Sequence, residues 1–213
     1  MVILLLNHDP EEIIRKQLYK LKKYSLIESA ENHKNTEKLA EYVAKIHAQN
    51  INQEHFKIYN AQWVIEQVYK IKNVKHQGNL IAALEIMAQI ETHNAPPKKF
   101  KFLSWDIIRS EWQKDYEAGK AGNFTWDIAA IINTVSNAQF SEIFLTSYLK
   151  HGGQKPTLSV LYANLYYVQV LEAIKNKDFE NIIEVTREII DDTMFNTDII
   201  SYETLLKLNI TGY

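Results

Sequence analysis

The sequence predicts a mainly α fold of about eight helices with one to three short strands. Three observations carry this. Only six glycines and four prolines punctuate 213 residues, which favours long helices over many short strands. Apolar residues recur at helical spacing along most of the chain. One mid-chain stretch alone, "KFKFLSW", alternates lysine with aromatic residues before turning apolar, the period of a strand.

The elements follow in order. "VILLL" near the start is a buried strand or the lead-in to a helix; it is too short for a signal-peptide core or a bilayer span. Asn7 or Asp9 caps the first helix, with Pro10 in its first turn. "EEIIRKQLYKLKKY" then places Ile13, Ile14, Leu18 and Leu21 on one face and Arg15, Lys16, Lys20, Lys22 and Lys23 on the other. Acidic residues open this helix and basic ones close it, which suits the macrodipole; the basic end is a solvated face or a phosphate contact.

"NTEKLAEYVAKIHAQN" is a second helix, capped by Asn35 or Thr36, with Leu39, Val43 and Ile46 inward. "NAQWVIEQVYKIK" carries Trp63, Ile65, Val68, Tyr69 and Lys72 at helical spacing. "NLIAALEIMAQIETH" reads as fully buried through Leu80, Leu84, Met87 and Ile90. "NAPPKK" breaks the pattern, since Pro96 and Pro97 impose a rigid extended connector.

Beyond the strand candidate, "TWDIAAIINTVS" and "FSEIFLTSYLKHGG" are helices, the latter closed by Gly152 and Gly153. "TLSVLYANLYYVQVLEAIKN" aligns Leu161, Leu165, Val168 and Leu171 as core. Tyr162 and Tyr166, one turn apart, are core residues or a stacking platform for a ligand. "FENIIEVTREIIDD" and "TDIISYETLLKLN" complete the chain. Short connections and the absence of repeats point to one domain over 1–213, with a weak sub-boundary near 94–99.

Composition narrows the partners. The net charge is −2, so no global field draws nucleic acid or an anionic membrane. No stretch reaches transmembrane length. There are no cysteines, which removes disulfides, thiolate metal sites and cysteine nucleophiles. A cytoplasmic location fits. The expected partner is a protein or a small molecule.

The chain has no glycine-rich phosphate loop, no His-Glu-x-x-His, no Glu-x-x-His and no Gly-x-Ser-x-Gly elbow. Its seven histidines are scattered, and a lone one such as His47 reads as satisfied or exposed rather than as a ligand. What remains is acidic: Asp106, Glu111, Asp115, Glu117 and Asp127. Such hard oxygen ligands suit Mg²⁺ with phosphate. Equally, the first four sit on the polar face of an amphipathic helix, with Glu111 and Asp115 as i,i+4 neighbours and Asp127 as a first-turn carboxylate.

The stretch "DYEAGKAGNFTWDIA" resembles the metal-binding segment of the aminoglycoside phosphotransferase and choline kinase superfamily. Asp115-Tyr116-Glu117 matches its Asp-aromatic-Glu, and Trp126-Asp127-Ile128-Ala129 its aromatic-Asp-(Leu/Ile)-Ala entering a helix. "LAEYVAKIHAQ" resembles the helix upstream of the catalytic loop, which usually ends in Leu-His. "FLTSYLKHGGQKP" and "LYANLYYVQVLEA" resemble the last helices of the larger lobe. The resemblance runs from Leu39 to Ala173.

In one register "FLSWDIIRSEW" stands for the catalytic loop. Asp106 is then the catalytic Asp that orients a hydroxyl, Ser104 replaces the expected His, and Glu111 replaces the Mg²⁺-binding Asn. The step from Glu111 to Asp115 is too short for the β-hairpin the family places there. In a second register Ser104-Trp105-Asp106 stands for Asp-aromatic-Glu and the catalytic loop is deleted.

The resemblance therefore implies the fold of a kinase-like larger lobe, a pseudokinase. The stretch ahead of "LAEYVAKIH" offers no place for a nucleotide-clamping small lobe or its lysine. The expected role is a non-catalytic binding or regulatory protein. The enzymatic alternative is a Mg²⁺–ATP phosphotransferase acting on a hydroxyl, divergent or completed by another chain, with Asp106 catalytic and Asp115 and Glu111 on the metal. Asp127 is structural in either case. A third reading, an unrelated helical interaction protein, needs no resemblance at all.

Overall fold

The computed structural model describes residues 9–21, 24, 29, 31–72, 74–94, 100–105, 116, 119–135 and 137–195. Among these are eight α-helices: α1 Pro10–Leu21, α2 His33–His47, α3 Ala61–Val68, α4 Val74–Asn94, α5 Phe124–Val135, α6 Ala138–Lys150, α7 Leu158–Asn176 and α8 Glu180–Phe195. Three short strands, β1 Lys57–Tyr59, β2 Lys101–Leu103 and β3 Lys120–Gly122, form one sheet in the order β1-β3-β2. The mainly α architecture agrees with the hydrophobic periodicity.

β3 is central. It pairs parallel with β1, Ile58 opposite Ala121, and antiparallel with β2, Phe102 opposite Ala121. β2 is the strand expected from "KFKFLSW". β1 and β3 are too short to show a period. Their pairing unites segments more than sixty residues apart, which no local pattern encodes.

The helices pack in pairs. α2 lies against α6 and against β2, α5 lies along α7, and α4 contacts α3, α7 and α8. A single hydrophobic core gathers Leu39, Val43 and Ile46 from α2, Trp126 and Ile128 from α5, Phe144 from α6, and Leu165 and Tyr166 from α7. It continues from α1 to α8, across both sides of the proline connector. That connector (95–99), "VILLL" and "TDIISYETLLKLN" lie outside the described residues.

Local chemistry explains the boundaries. Asp9 caps α1 by accepting from Glu11 N at 3.0 Å, and Pro10 follows where its missing N–H costs nothing. α2 begins earlier than the sequence suggests. Asn32 is its cap, accepting from Asn35 N at 3.3 Å, while Thr36 turns its hydroxyl to Ser29 O at 2.6 Å. Three cap-forming residues compete there, and the one with an extended backbone takes the role.

α3 stops at Val68, so Tyr69 and Lys72 lie beyond the helix, and Tyr69 is exposed. α4 is longer than expected and not fully buried: Leu80, Leu84 and Met87 are buried, while Ile90 is only half-buried. Gly152, at φ 85°, terminates α6 in the left-handed conformation. Its N–H bonds Leu149 O at 3.1 Å and the next N–H, of Gly153, bonds Tyr148 O at 2.9 Å. Tyr162 and Tyr166 are both buried in the core, not a platform open to ligand.

Candidate functional site

β2 ends at Leu103, and the two following residues are gripped by a single side chain. Asp127, in the first turn of α5, is fully buried. Its Oδ1 accepts from Trp105 N at 2.7 Å and from Ser104 N at 3.0 Å. Its Oδ2 accepts from Ser104 N at 2.9 Å, from Ser104 Oγ at 2.6 Å and from His47 Nε2 at 3.1 Å. A carboxylate taken out of water is costly unless its lone pairs are filled. Here two backbone N–H groups, a hydroxyl and an imidazole fill them.

His47 is the last residue of α2 and is 1% exposed. Its other ring nitrogen, Nδ1, lies 2.9 Å from the Tyr148 hydroxyl on α6. The rings of His47 and Tyr148 meet edge to face, with centroids 5.7 Å apart, and Phe124 closes the other side at 6.1 Å. Burial pushes the Tyr148 hydroxyl far above its usual range; the Gln154 backbone N–H facing it offsets part of this, and the Asp127 charge adds to it. The result is a buried polar network joining α2, the end of β2, α5 and α6.

The helical period explains how His47 comes to be buried. Ala40, Val43 and Ala44 are buried on α2, and His47 follows Val43 by four residues on that same face. The sequence left His47 as satisfied or exposed, and its partner could not be read, because Asp127 lies eighty residues away.

Asp106, Glu111, Asp115 and Glu117 lie outside the described residues. Tyr116, between Asp115 and Glu117 in sequence, is described. Its ring stacks on Phe102 of β2 at 5.2 Å and 5° and meets Phe56 edge to face at 5.2 Å. The Arg15 guanidinium of α1 stands 4.7 Å above the same ring. Tyr116 O accepts from Gly119 N at 3.0 Å, directly ahead of β3.

Lys101 of β2 is buried too, with its ammonium 3.1 Å from Gln49 O just past the end of α2. That cation sits where a helix terminus presents carbonyls and the negative end of its dipole. Its burial was not foreseeable, since a lysine in an alternating strand is expected to face water.

Among the described residues no three His, Asp or Glu side chains gather as a metal site, and no helix is long and apolar enough to cross a membrane. Comparison with protein-family models, with curated proteins and with solved structures gives no match.

Proposed function

We propose that the chain is a domain similar to the larger lobe of the aminoglycoside phosphotransferase and choline kinase superfamily, and that it binds a protein partner or small ligand without transferring phosphate. One observation carries the reading. Four stretches matched separately to that superfamily supply the four corners of one network. His47 ends "LAEYVAKIH", Ser104 and Trp105 precede Asp106, Asp127 belongs to "TWDIA", and Tyr148 belongs to "FLTSYLKHGG". Unrelated short matches have no reason to meet at one buried point.

The non-catalytic part rests on Ser104 and on Glu111. Ser104 stands where the superfamily is expected to carry His, and its hydroxyl is committed to Asp127 at 2.6 Å in the interior. That inward commitment also favours the register with Asp106 at the catalytic position, because a buried Ser104 is poorly placed as a metal-ligand replacement. Glu111 stands in place of the Asn, too close to Asp115 for the intervening hairpin.

A second reading has one observation in its favour. Asp127 fixes the backbone directly ahead of Asp106, and fixed backbone is what a group orienting a hydroxyl requires. In that reading Asp106 orients the substrate while Glu111 and Asp115 hold Mg²⁺ carrying ATP.

Titration with Mg²⁺–ATP under thermal denaturation separates the two. The non-catalytic reading predicts an unchanged Tm at millimolar nucleotide and no ATP hydrolysis. The enzymatic reading predicts a rise of ~5–10 °C at saturation, abolished by Asp115→Ala. Nucleotide turnover by the purified chain would overturn the preferred reading.

A further inference from the structure

We infer that Asp127 and Tyr148 together hold His47 as the Nε2–H tautomer, within one ordered chain of donors that runs from Tyr148, on which the α6–α7 connection packs, to the Ser104–Trp105 segment. The donor order follows from proton counting. The Asp127 carboxylate only accepts, so the His47 nitrogen facing Oδ2 at 3.1 Å is the one carrying hydrogen. A neutral ring then leaves Nδ1 as an acceptor, and the Tyr148 hydroxyl, 2.9 Å away, donates to it. The chain reads Tyr148 O–H to His47 Nδ1, and His47 Nε2–H to Asp127. Asp127 in turn holds the backbone N–H groups of Ser104 and Trp105.

The alternative, with hydrogen on both ring nitrogens, makes Nδ1 a donor and leaves the Tyr148 proton without an acceptor among the hydrogen bonds of the described residues. Asp127 and Tyr148 are the titratable groups in contact with the ring, and its remaining aromatic neighbour is the apolar Phe124.

The connection is seated tightly on this chain. A Cβ on Gly153 would lie 2.3 Å from Tyr148 Cε1, so only glycine lets the backbone lie flat on that ring. Any ligand or partner that shifts residues 152–154 would therefore act on Tyr148, and through His47 and Asp127 on the peptide immediately before Asp106. His47 and Tyr148 are positioning residues in this scheme. It stands on geometry alone and holds under either functional reading.

The test is ¹⁵N NMR of the His47 ring in the full chain, assigned by loss of its signals in His47→Gln. The expected result is hydrogen on Nε2 alone, with an unprotonated Nδ1. Hydrogen on Nδ1, alone or with Nε2, would overturn the inference. Tyr148→Phe should then move the Nδ1 resonance toward that of a free ring nitrogen, and shift the amide protons of Ser104 and Trp105. Gly153→Ala, whose added Cβ presses on the Tyr148 ring and leaves its hydroxyl in place, should shift the same amides in case the tyrosine variant does not fold. Unmoved Ser104 and Trp105 amides in the folded variants would sink the coupling, whatever the outcome with nucleotide.

Discussion

At the residue scale, Asp127 is the side chain on which the site depends. Asp127→Asn keeps the volume but turns an amide N–H₂ toward groups that are themselves donors. The expected loss is about 2–4 kcal/mol, because buried backbone N–H groups lose an acceptor. Ser104→Ala removes one hydroxyl bond and leaves both backbone bonds in place, with an expected loss of about 1 kcal/mol. Urea unfolding of the two variants against the parent checks the ranking; equal effects would mean the backbone bonds to Asp127 contribute little. The sequence marked Asp127 as a first-turn carboxylate and left His47 as a satisfied or exposed histidine. Their pairing could not be read, since it is created by α2 and α5 converging in space. Asp106, Glu111 and Asp115 remain expectations of sequence alone.

At the element scale, α2 carries its own ion cluster. Glu41 accepts from Lys38 Nζ at 2.7 Å and from Lys45 Nζ at 2.6 Å. The hydrogen bond from Lys38, then that from Lys45, holds its carboxyl at about 2, below the usual 4.5. A depressed folded pKa means the stabilisation is present above about pH 4.5 and is lost as pH falls toward 2. Both lysines are half-exposed, so the screened contribution is ~0.5–1 kcal/mol. Glu41→Gln should be less stable than the parent by that amount at pH 7. Denaturant unfolding repeated down to pH 2.5 should find the gap closing; a gap independent of pH would contradict the ion-pair assignment. The helices themselves were legible because α1 and α2 bury one face at the 3.6 period, while α7 is a long apolar run buried without a break from Val160 to Val168. Cap competition at Asn32, Asn35 and Thr36 blurred the start of α2. The strands β1 and β3 escaped notice because three residues hold no period and Lys57 meets Lys120 only through the fold.

At the scale of the whole molecule, the network lies where both halves of the chain meet. α2 and β2 supply it from one side of the Asp106 segment, and α5 and α6 from the other. Breaking it should loosen the contact between those elements rather than one helix end. The composition excluded thiol chemistry and gave no reason to expect nucleic acid, but it offered no route to this meeting point, which exists only once the long-range contacts form. Hydrogen exchange of the Ser104 and Trp105 amides tests the central claim most directly. Both are tied to a buried carboxylate, so both are predicted to exchange only through global unfolding, among the slowest amides and alongside the core of α7. Exchange of these two at the pace of surface loops, while the α7 amides stay protected, would contradict it.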